Sequence, residues 1–190
     1  MVLRGADPYV VDAAMRSWGM ALGPFELADR VGLDAPWFTA SGASLSPALA
    51  QRMQKGRASG GGWYRYAPGE AHPEATDLSE FLGAVRADAG KKERAFDAGE
   101  MQIRCLAAMA NAGVGLLRKG VIATPGDVDV ALVNGFGFPR HSGGPMMAAQ
   151  NLGLVAVRAT LRQMRREGDA LSTPDPVFDH LIKNGSPLAQ

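Results

Sequence analysis

The spacing of apolar residues along the chain predicts helices over most of its length. Apolar positions recur three or four residues apart, which is the period of one face of an α-helix. Prolines stand where these stretches begin and glycines where they end, as each residue type favours. The predicted helices cover residues 8–18, 24–31, 46–55, 78–85, 97–119, a stretch beginning at 125, 145–152, 154–167 and 176–183. The fold class predicted from this pattern is all-α.

A single segment, Trp63-Tyr64-Arg65-Tyr66, has the composition of a strand. The glycine-rich stretch 56–62 before it is predicted to be a flexible loop. Residues 68–73 are polar, begin and end with proline, and form the best candidate for a boundary between domains. We therefore divide the chain into a first helical unit, residues 1–70, and a second helical unit, residues 71–190.

A phrase of eleven residues occurs twice and indicates that the two units are related. Gly23–Leu33 returns 121 residues later as Gly144–Leu154, with Gly, Pro, Ala, Gly and Leu at the same spacing. Upstream, Val11–Met15 corresponds to Val128–Leu132, and four extra residues separate the two parts of the second copy. The sequence thus predicts two related units, each in the size range of a small domain.

Composition and charge narrow the classes of function. The 190 residues are 46% hydrophobic and 21% charged, which is typical of a globular protein with a real core. The formal net charge of +1 gives no reason to expect a nucleic-acid or membrane partner. The single cysteine, Cys105, excludes an internal disulfide and is predicted to be a buried, unreactive thiol. We find neither a signal peptide nor a membrane-spanning run, and we expect a cytoplasmic location.

Three long motifs follow one another in a fixed order. They are Gly19–Asp34, Gly60–Tyr66 and Asn134–Pro145. In this order they resemble the C-terminal domain of 3-hydroxyacyl-CoA dehydrogenases over nearly the whole chain. A second copy of that domain is found in the multifunctional enzymes of fatty-acid β-oxidation, which also carry an enoyl-CoA hydratase domain. The resemblance implies two duplicated helical domains of the 6-phosphogluconate-dehydrogenase-C-like type.

The resemblance also implies an activity, the NAD-dependent oxidation of 3-hydroxyacyl-CoA to 3-oxoacyl-CoA. In the family, a His acts as general base and a Glu orients it, both in an upstream Rossmann domain that binds NAD. A supporting Asn lies in the first helix of the C-terminal unit. Residues 1–6 match the end of that helix, so we expect the first unit to be truncated at its N-terminus. We therefore expect no catalytic and no cofactor-binding residue in this chain, no bound NAD, and no activity of the chain alone.

The residues themselves agree with the expected absence of a nucleotide site. The nearest approach to a dinucleotide fingerprint is Gly135-Phe136-Gly137, but Arg140 takes the place of the third glycine and no strand precedes it. The glycine-rich stretch 56–62 lacks the Gly-Lys-Ser/Thr ending of a phosphate loop.

The second unit departs from the family pattern at two positions. Gln150 stands where an Asp is usual, and Ala112 stands where a Glu commonly follows the Asn that corresponds to Asn111. Each substitution removes a charge.

Lys55 and Arg57 are the candidate substrate-binding residues, because they flank a flexible loop that can adapt to phosphate groups. A second basic set lies at helical spacing in the region 154–167, and either meets the phosphates of coenzyme A or forms a solvated face. Its members are Arg158, Arg162, Arg165 and Arg166. The aromatic residues at 63, 64 and 66 are predicted to anchor the core.

The three histidines, His72, His141 and His180, match no metal-binding spacing, so we predict no metal site. His141, in a predicted turn, is the one whose position merits inspection.

The resemblance implies an acyl-CoA substrate, an upstream Rossmann domain, and a tandem pair that acts as an internal pseudo-dimer. The glycine-proline helix starts either pack the two copies together or simply set helix geometry. A truncated first unit would expose apolar surface and favour a homodimer. An alternative from a different class is a stand-alone helical module for assembly or acyl-CoA binding without redox chemistry. Neither interpretation predicts a nucleic-acid or membrane partner.

Overall fold

The computed structural model describes residues 1–36, 45–52, 55–68 and 73–189. Helices dominate the described residues and confirm the all-α class. In chain order they are α1 (Pro8–Ser17), α2 (Pro24–Val31), α3 (Leu45–Arg52), α4 (Ser79–Ala89), α5 (Ala98–Arg118), α6 (Pro125–Gly135), α7 (Pro145–Leu152), α8 (Leu154–Arg166) and α9 (Pro176–Asn184). Short 3-10 turns lie at Val2–Arg4, Arg57–Ser59, Arg140–Ser142 and Ala170–Ser172.

The predicted strand is present and shorter than expected. β1 (Tyr64–Arg65) pairs antiparallel with β2 (Glu74–Ala75), with Tyr64 opposite Ala75. The sequence did not indicate β2, because a strand of two residues has no alternation to detect.

The helix starts that proline predicted are confirmed, since proline is the first residue of α1, α2, α6, α7 and α9. The N–H of Thr124 donates to Asp127 Oδ2 at 2.7 Å, as expected for a capped start of α6. α4 begins at Ser79, whose N–H donates to Asp77 Oδ1 at 3.0 Å, so Glu80 lies one position too early for the expected capping box. Met53, predicted on α3, lies outside the described residues.

The contacts divide the chain into two compact units at a later point than 70/71. The first unit comprises residues 1–16 and 22–97, and the second comprises 17–21 and 98–190. Residues 73–97 fall in the first unit, because α4 supplies side chains to its core. These side chains are Leu78 at the N-cap and Phe81 and Leu82 in the helix.

The core of the first unit centres on Trp63, which is fully buried. Its ring meets those of Phe25 and Phe81 edge-to-face, with centroids 4.5 and 6.3 Å apart. The buried residues of this cluster are Val2, Ala28, Leu33, Leu49, Trp63, Tyr64, Leu78, Phe81 and Leu82. The predicted role of the aromatic residues at 63 and 64 as core anchors is confirmed.

The core of the second unit forms where α5 packs against α7 and α8. Leu106, Ala110 and Val114 face this core at the predicted helical spacing. Ile103 was expected on the same face, yet 37% of it is exposed. Cys105 is half-buried rather than fully buried.

Candidate functional site

A buried aspartate caps the helix that opens the repeated phrase. Asp12 of α1 accepts hydrogen bonds from the backbone N–H groups of Phe25 and Glu26, at 2.8 and 2.9 Å. Its second oxygen also accepts the hydroxyl of Tyr64 at 2.9 Å. Burial raises the pKa of the Asp12 carboxyl, and these three donors oppose the shift. The carboxylate thereby satisfies two of the donors that a helix leaves unpaired at its start.

The second copy repeats this arrangement. Asp129 of α6 accepts the N–H groups of Met146 and Met147 at the start of α7, at 2.7 and 3.3 Å. Burial raises its pKa as well. The aspartate of the recurring Val-Asp pair therefore caps a helix, a role that the sequence alone did not predict.

A second pair of equivalent residues, Asp29 and Gln150, lies later in the repeated phrase. Asp29 of α2 accepts the N–H groups of Trp63 and Tyr64, at 3.0 and 2.8 Å. At the matching position in α7, Gln150 Oε1 accepts the N–H groups of Leu188 and Ala189, at 2.5 and 3.3 Å. The substitution of Asp by Gln thus removes a charge and keeps the type of contact.

The other departure from the family pattern is Ala112 of α5, which follows Asn111. The side-chain amide of Asn111 donates to the carbonyl of Thr173 at 3.0 Å and accepts the N–H of Asp175 at 2.9 Å. Asn111 therefore holds the turn before α9, and Ala112 beside it is exposed.

Residues 55–66, which we call the cationic segment, carry both predicted substrate-binding residues. Lys55 Nζ lies 3.0 Å from Asp34 Oδ2, and both side chains are largely exposed. The guanidinium of Arg57 lies over the ring of Tyr66, 5.7 Å from its centroid. The hydroxyl of Tyr66 in turn donates to Asp29 at 3.2 Å. The structure thus places Lys55 and Arg57, both exposed, on one segment that also contacts a buried carboxylate.

The basic set on α8 is partly neutralised. Arg158 and Arg162 both pair with Asp179 of α9, the latter at 3.3 Å. Arg165 and Arg166 are exposed in the last turn of α8. This pairing favours a solvated face.

Two cavities in the described part of the chain are poorly suited to phosphate. One of 360 Å³ in the second unit is lined by Trp18, Ile103, His141 and neighbouring residues, with no lysine or arginine among them. The other, of 640 Å³ in the first unit, carries the carboxylates of Asp7, Asp77 and Glu93. Its guanidinium, that of Arg86, donates to the carbonyls of Val2 and Ala6 instead.

The two histidines that the structure describes, His141 and His180, belong to no metal centre among the described residues. His141 is exposed in its 3-10 turn at the rim of the second-unit cavity, and His180 is exposed on α9 beside Asn184. His72 lies outside the described residues. Among the residues that the structure describes, no group of three metal-binding side chains forms.

Two kinds of described site that could hold the pyrophosphate of NAD are poorly suited to it. A helix N-terminus is a natural seat for pyrophosphate, but the carboxylates of Asp12 and Asp129 already occupy the starts of α2 and α7 and would repel it. The glycine-rich stretch 56–62 leads into β1, which pairs with another short strand and does not enter a helix.

None of the described helices is both long enough and apolar enough to cross a bilayer.

A family model matches the chain in two pieces. The model described as "3-hydroxyacyl-CoA dehydrogenase, C-terminal domain" matches residues 1–66 and 101–188. Each matched piece contains one copy of the repeated phrase.

Among curated proteins, the peroxisomal bifunctional enzyme of Homo sapiens is 31% identical over 206 residues, covering 96% of this chain and 28% of that protein. The fatty acid oxidation complex subunit alpha of Shewanella amazonensis is 32% identical over 172 residues, covering 80% of this chain and 23% of that protein. The chain thus spans under a third of the length of these relatives.

Two solved structures share the fold. The dehydrogenase part of multifunctional enzyme 1 from C. elegans superposes with a TM-score of 0.66 at 21% identity, over 93% of this chain and 42% of that one. A 3-hydroxybutyryl-CoA dehydrogenase from Escherichia coli gives 0.66 at 19% identity, over 97% of this chain and 57% of that one.

Proposed function

Because the chain belongs to the family of 3-hydroxyacyl-CoA dehydrogenase C-terminal domains, we propose that it forms the helical, substrate-facing part of an NAD-dependent enzyme of fatty-acid β-oxidation. That enzyme would oxidise 3-hydroxyacyl-CoA to 3-oxoacyl-CoA. The observation that carries this proposal is the double match of the family model, at residues 1–66 and 101–188. The equivalent helix caps at Asp12 and Asp129 support it, because the repeated helix starts in the same way in both matches.

In this proposal, hydride transfer takes place on a separate nucleotide-binding domain. The carboxylates that cap α2 and α7 support that division of labour, because they disfavour a pyrophosphate at these helix starts. The 190-residue chain alone is then expected to be inactive. The test follows NADH oxidation with acetoacetyl-CoA, beside a complete dehydrogenase as positive control, and turnover by the chain alone would contradict the proposal.

We assign the phosphate groups of the acyl-CoA substrate to Lys55 and Arg57. They lie on the cationic segment, largely exposed, whereas the two described cavities lack a suitable cation. The Asp34 carboxylate beside Lys55 keeps a lowered pKa, chiefly through its hydrogen bond to that lysine. A phosphate would compete with this carboxylate for the ammonium group, so we expect modest affinity.

Calorimetry on the double variant Lys55→Gln/Arg57→Gln tests the assignment. Losing two exposed ionic contacts should weaken acetoacetyl-CoA binding by about tenfold. Binding of acetoacetyl-pantetheine, which lacks the nucleotide phosphates, should not change. The matched control is Arg65→Gln, because Arg65 is an exposed cation on the same segment. Arg65 pairs with Glu74 of β2. Equal losses in both variants would show a general charge effect and overturn the assignment.

A homodimer through the first unit is a further proposal. The exposed side chains of Val10 and Val31, at 53% and 36%, support it. Light scattering should show a dimer at micromolar concentration, and a monomer would contradict the proposal.

A cytoplasmic location is also proposed. Because the human relative is named as peroxisomal, the peroxisome is the competing location. Fractionation of cells that express the native protein decides between them, since recovery with an organelle marker would refute the cytoplasmic assignment.

A further inference from the structure

The cavity of 360 Å³ in the second unit has an apolar floor and an apolar rim. Leu106 of α5 and Ala148 of α7 are buried and form the floor. Ile103 and Leu152, which are 37% and 36% exposed, lie at the rim, and Trp18 closes one side. The place of Ile103 at this opening explains an exposure that the helical spacing did not predict. The volume lies in the range of small-molecule sites, roughly 300–1,000 Å³.

Contacts within the second unit fix the side of the cavity that Trp18 forms. The indole ring meets the ring of Phe138 edge-to-face, with centroids 5.2 Å apart. The N–H of Ala21 donates to the carbonyl of Gly137 at 3.0 Å, which ties down the segment 17–21 that carries the indole. A site whose walls are already in place loses less binding free energy to ordering than a flexible site does.

Four polar side chains line the same cavity, and each can both donate and accept a hydrogen bond. They are Gln102, His141, Ser142 and Asn151. Amide and hydroxyl side chains offer both functions, and a neutral imidazole has one donor and one acceptor nitrogen. His141 and Asn151 are exposed and Ser142 is half-buried, so a ligand can reach all three. No lysine, arginine, aspartate or glutamate is among the described residues that line the cavity.

This lining is poorly matched both to a charged group and to a plain hydrocarbon. A phosphate or a carboxylate would lose its water there without meeting a lysine or an arginine. An alkyl chain would cover the polar side chains and leave them without hydrogen-bond partners. The lining is best matched by an uncharged chain in which apolar carbons alternate with groups that both donate and accept, as secondary amides do.

We propose that the cavity in the second unit binds the uncharged, amide-bearing arm of an acyl-CoA, its pantetheine group. Pantetheine carries secondary amides and a hydroxyl group, separated by methylene groups and a dimethyl-substituted carbon. These groups correspond to the polar and apolar parts of the lining. The choice of pantetheine among amide-bearing molecules rests on the proposed function, whereas the class of ligand rests only on the residues that line the cavity.

The first measurement is an NMR titration of the chain with pantetheine under reducing conditions. The indole N–H signal of Trp18 and the backbone amide signals of Ile103 and Asn151 should shift with one common dissociation constant. Trp18→Phe identifies the indole signal by removing it. The backbone amide of Trp63, in the first unit, should not shift. If the three cavity signals stay in place at millimolar pantetheine, the proposal is overturned.

Asn151→Leu tests the polar part of the lining by calorimetry. It keeps the size of an exposed side chain but removes its donor and acceptor, so the Kd for pantetheine should rise about fivefold. The matched control is Asn134→Leu, because Asn134 is an exposed asparagine of α6 outside the lining of the cavity. An unchanged Kd in Asn151→Leu, or an equal rise in both variants, would overturn the assignment.

Two comparison ligands test the chemical class of the site. Octanol has an apolar chain without amides, and it should bind more weakly than pantetheine. Octanol binding as tight as that of pantetheine would show a simple apolar cavity and overturn the amide class. A short uncharged peptide with blocked ends offers the same amide chemistry from another source. Tighter binding of this peptide than of pantetheine would overturn the assignment to pantetheine.

The double variant Lys55→Gln/Arg57→Gln separates this inference from the phosphate assignment in the first unit. It should leave the binding of pantetheine at the cavity unchanged. If pantetheine does not shift the cavity signals while acetoacetyl-CoA still binds the chain, the cavity site fails and the proposed function stands. If neither molecule binds the chain, the substrate-facing role under the proposed function fails as well.

Discussion

Asp12 and Asp129 carry out the same task in the two copies of the repeat, since each places a buried carboxylate over the first N–H groups of a glycine-proline helix. The glycine before the proline is part of this device. A Cβ added to Gly23 or Gly144 would lie 2.3 Å from the aspartate Cβ. The repeated Asp and Gly are therefore complementary: the carboxylate caps the helix, and the missing side chain lets it approach.

We expect Asp129→Ala to lower the free energy of unfolding by about 2–3 kcal/mol, because two buried N–H donors lose their acceptor. Urea denaturation followed by circular dichroism gives the value. The control is Asp127→Ala, which removes an exposed acceptor at the start of α6 and should cost about 1 kcal/mol. A cost for Asp129→Ala no larger than that of the control would contradict the capping role.

Gly144→Ala should be strongly destabilising, since the new Cβ collides with Asp129 and the residue has φ of +113°. In α5, Gly115 has open space around its added Cβ, so Gly115→Ala should stabilise the chain by about 0.5–1 kcal/mol. The melting temperature should therefore fall in Gly144→Ala and rise in Gly115→Ala, as measured by thermal melting. A Gly144→Ala variant as stable as the parent would show that α7 can shift away from its cap.

The parts of the fold that the sequence predicted are those governed by neighbouring residues. Proline and glycine mark helix starts and stops through their own φ preferences, so the bounds of α2 and α7 followed directly. The assignment of α4 did not follow, because the sequence around it does not reveal which core receives Phe81.

The candidate site was predictable only in part, because some of its contacts join residues that are far apart in the sequence. Lys55 and Arg57 were visible as cations beside a flexible loop. The carboxylate beneath them was not, since Asp29 and Tyr64 are far apart in sequence and meet only in the folded unit. The signal that could have found it was the repeat, in which Asp29 aligns with Gln150 and both residues can accept hydrogen bonds.

The raised pKa of Asp29 predicts how stability depends on pH. Its pKa in the folded chain is about 6, against an ordinary value of 3.8, so the folded state binds the proton more tightly than the unfolded state. The contribution of this group to stability is complete at low pH and is lost as pH rises through about 6. A neutral carboxyl costs less to bury than a charged one, even though it accepts fewer hydrogen bonds.

The free energy of unfolding, measured in urea, should therefore increase by about 1 kcal/mol between pH 7 and pH 5 through Asp29. Asp12 and Asp129 act in the same direction, since burial raises the pKa of each. Asp29→Asn should show a smaller increase than the parent chain. An equal increase in the two proteins would assign the pH dependence to the other carboxyls.

Arg104 of α5 gives the last prediction, because it is a buried cation that depends on its partners. Its guanidinium pairs with Glu100 at 2.7 Å and with both oxygens of Glu167, at 2.8 and 3.0 Å, while its side chain is only 5% exposed. Arg104→Ala leaves the Glu167 carboxylate, 16% exposed, without this partner, and should cost about 3 kcal/mol in urea denaturation. Arg162→Ala, at an exposed pair, should cost under about 1 kcal/mol. Since a lysine cannot bind both oxygens of Glu167 in one plane, Arg104→Lys should recover less than half of the loss. Full recovery by lysine would show that charge alone, and not the paired geometry, stabilises this site.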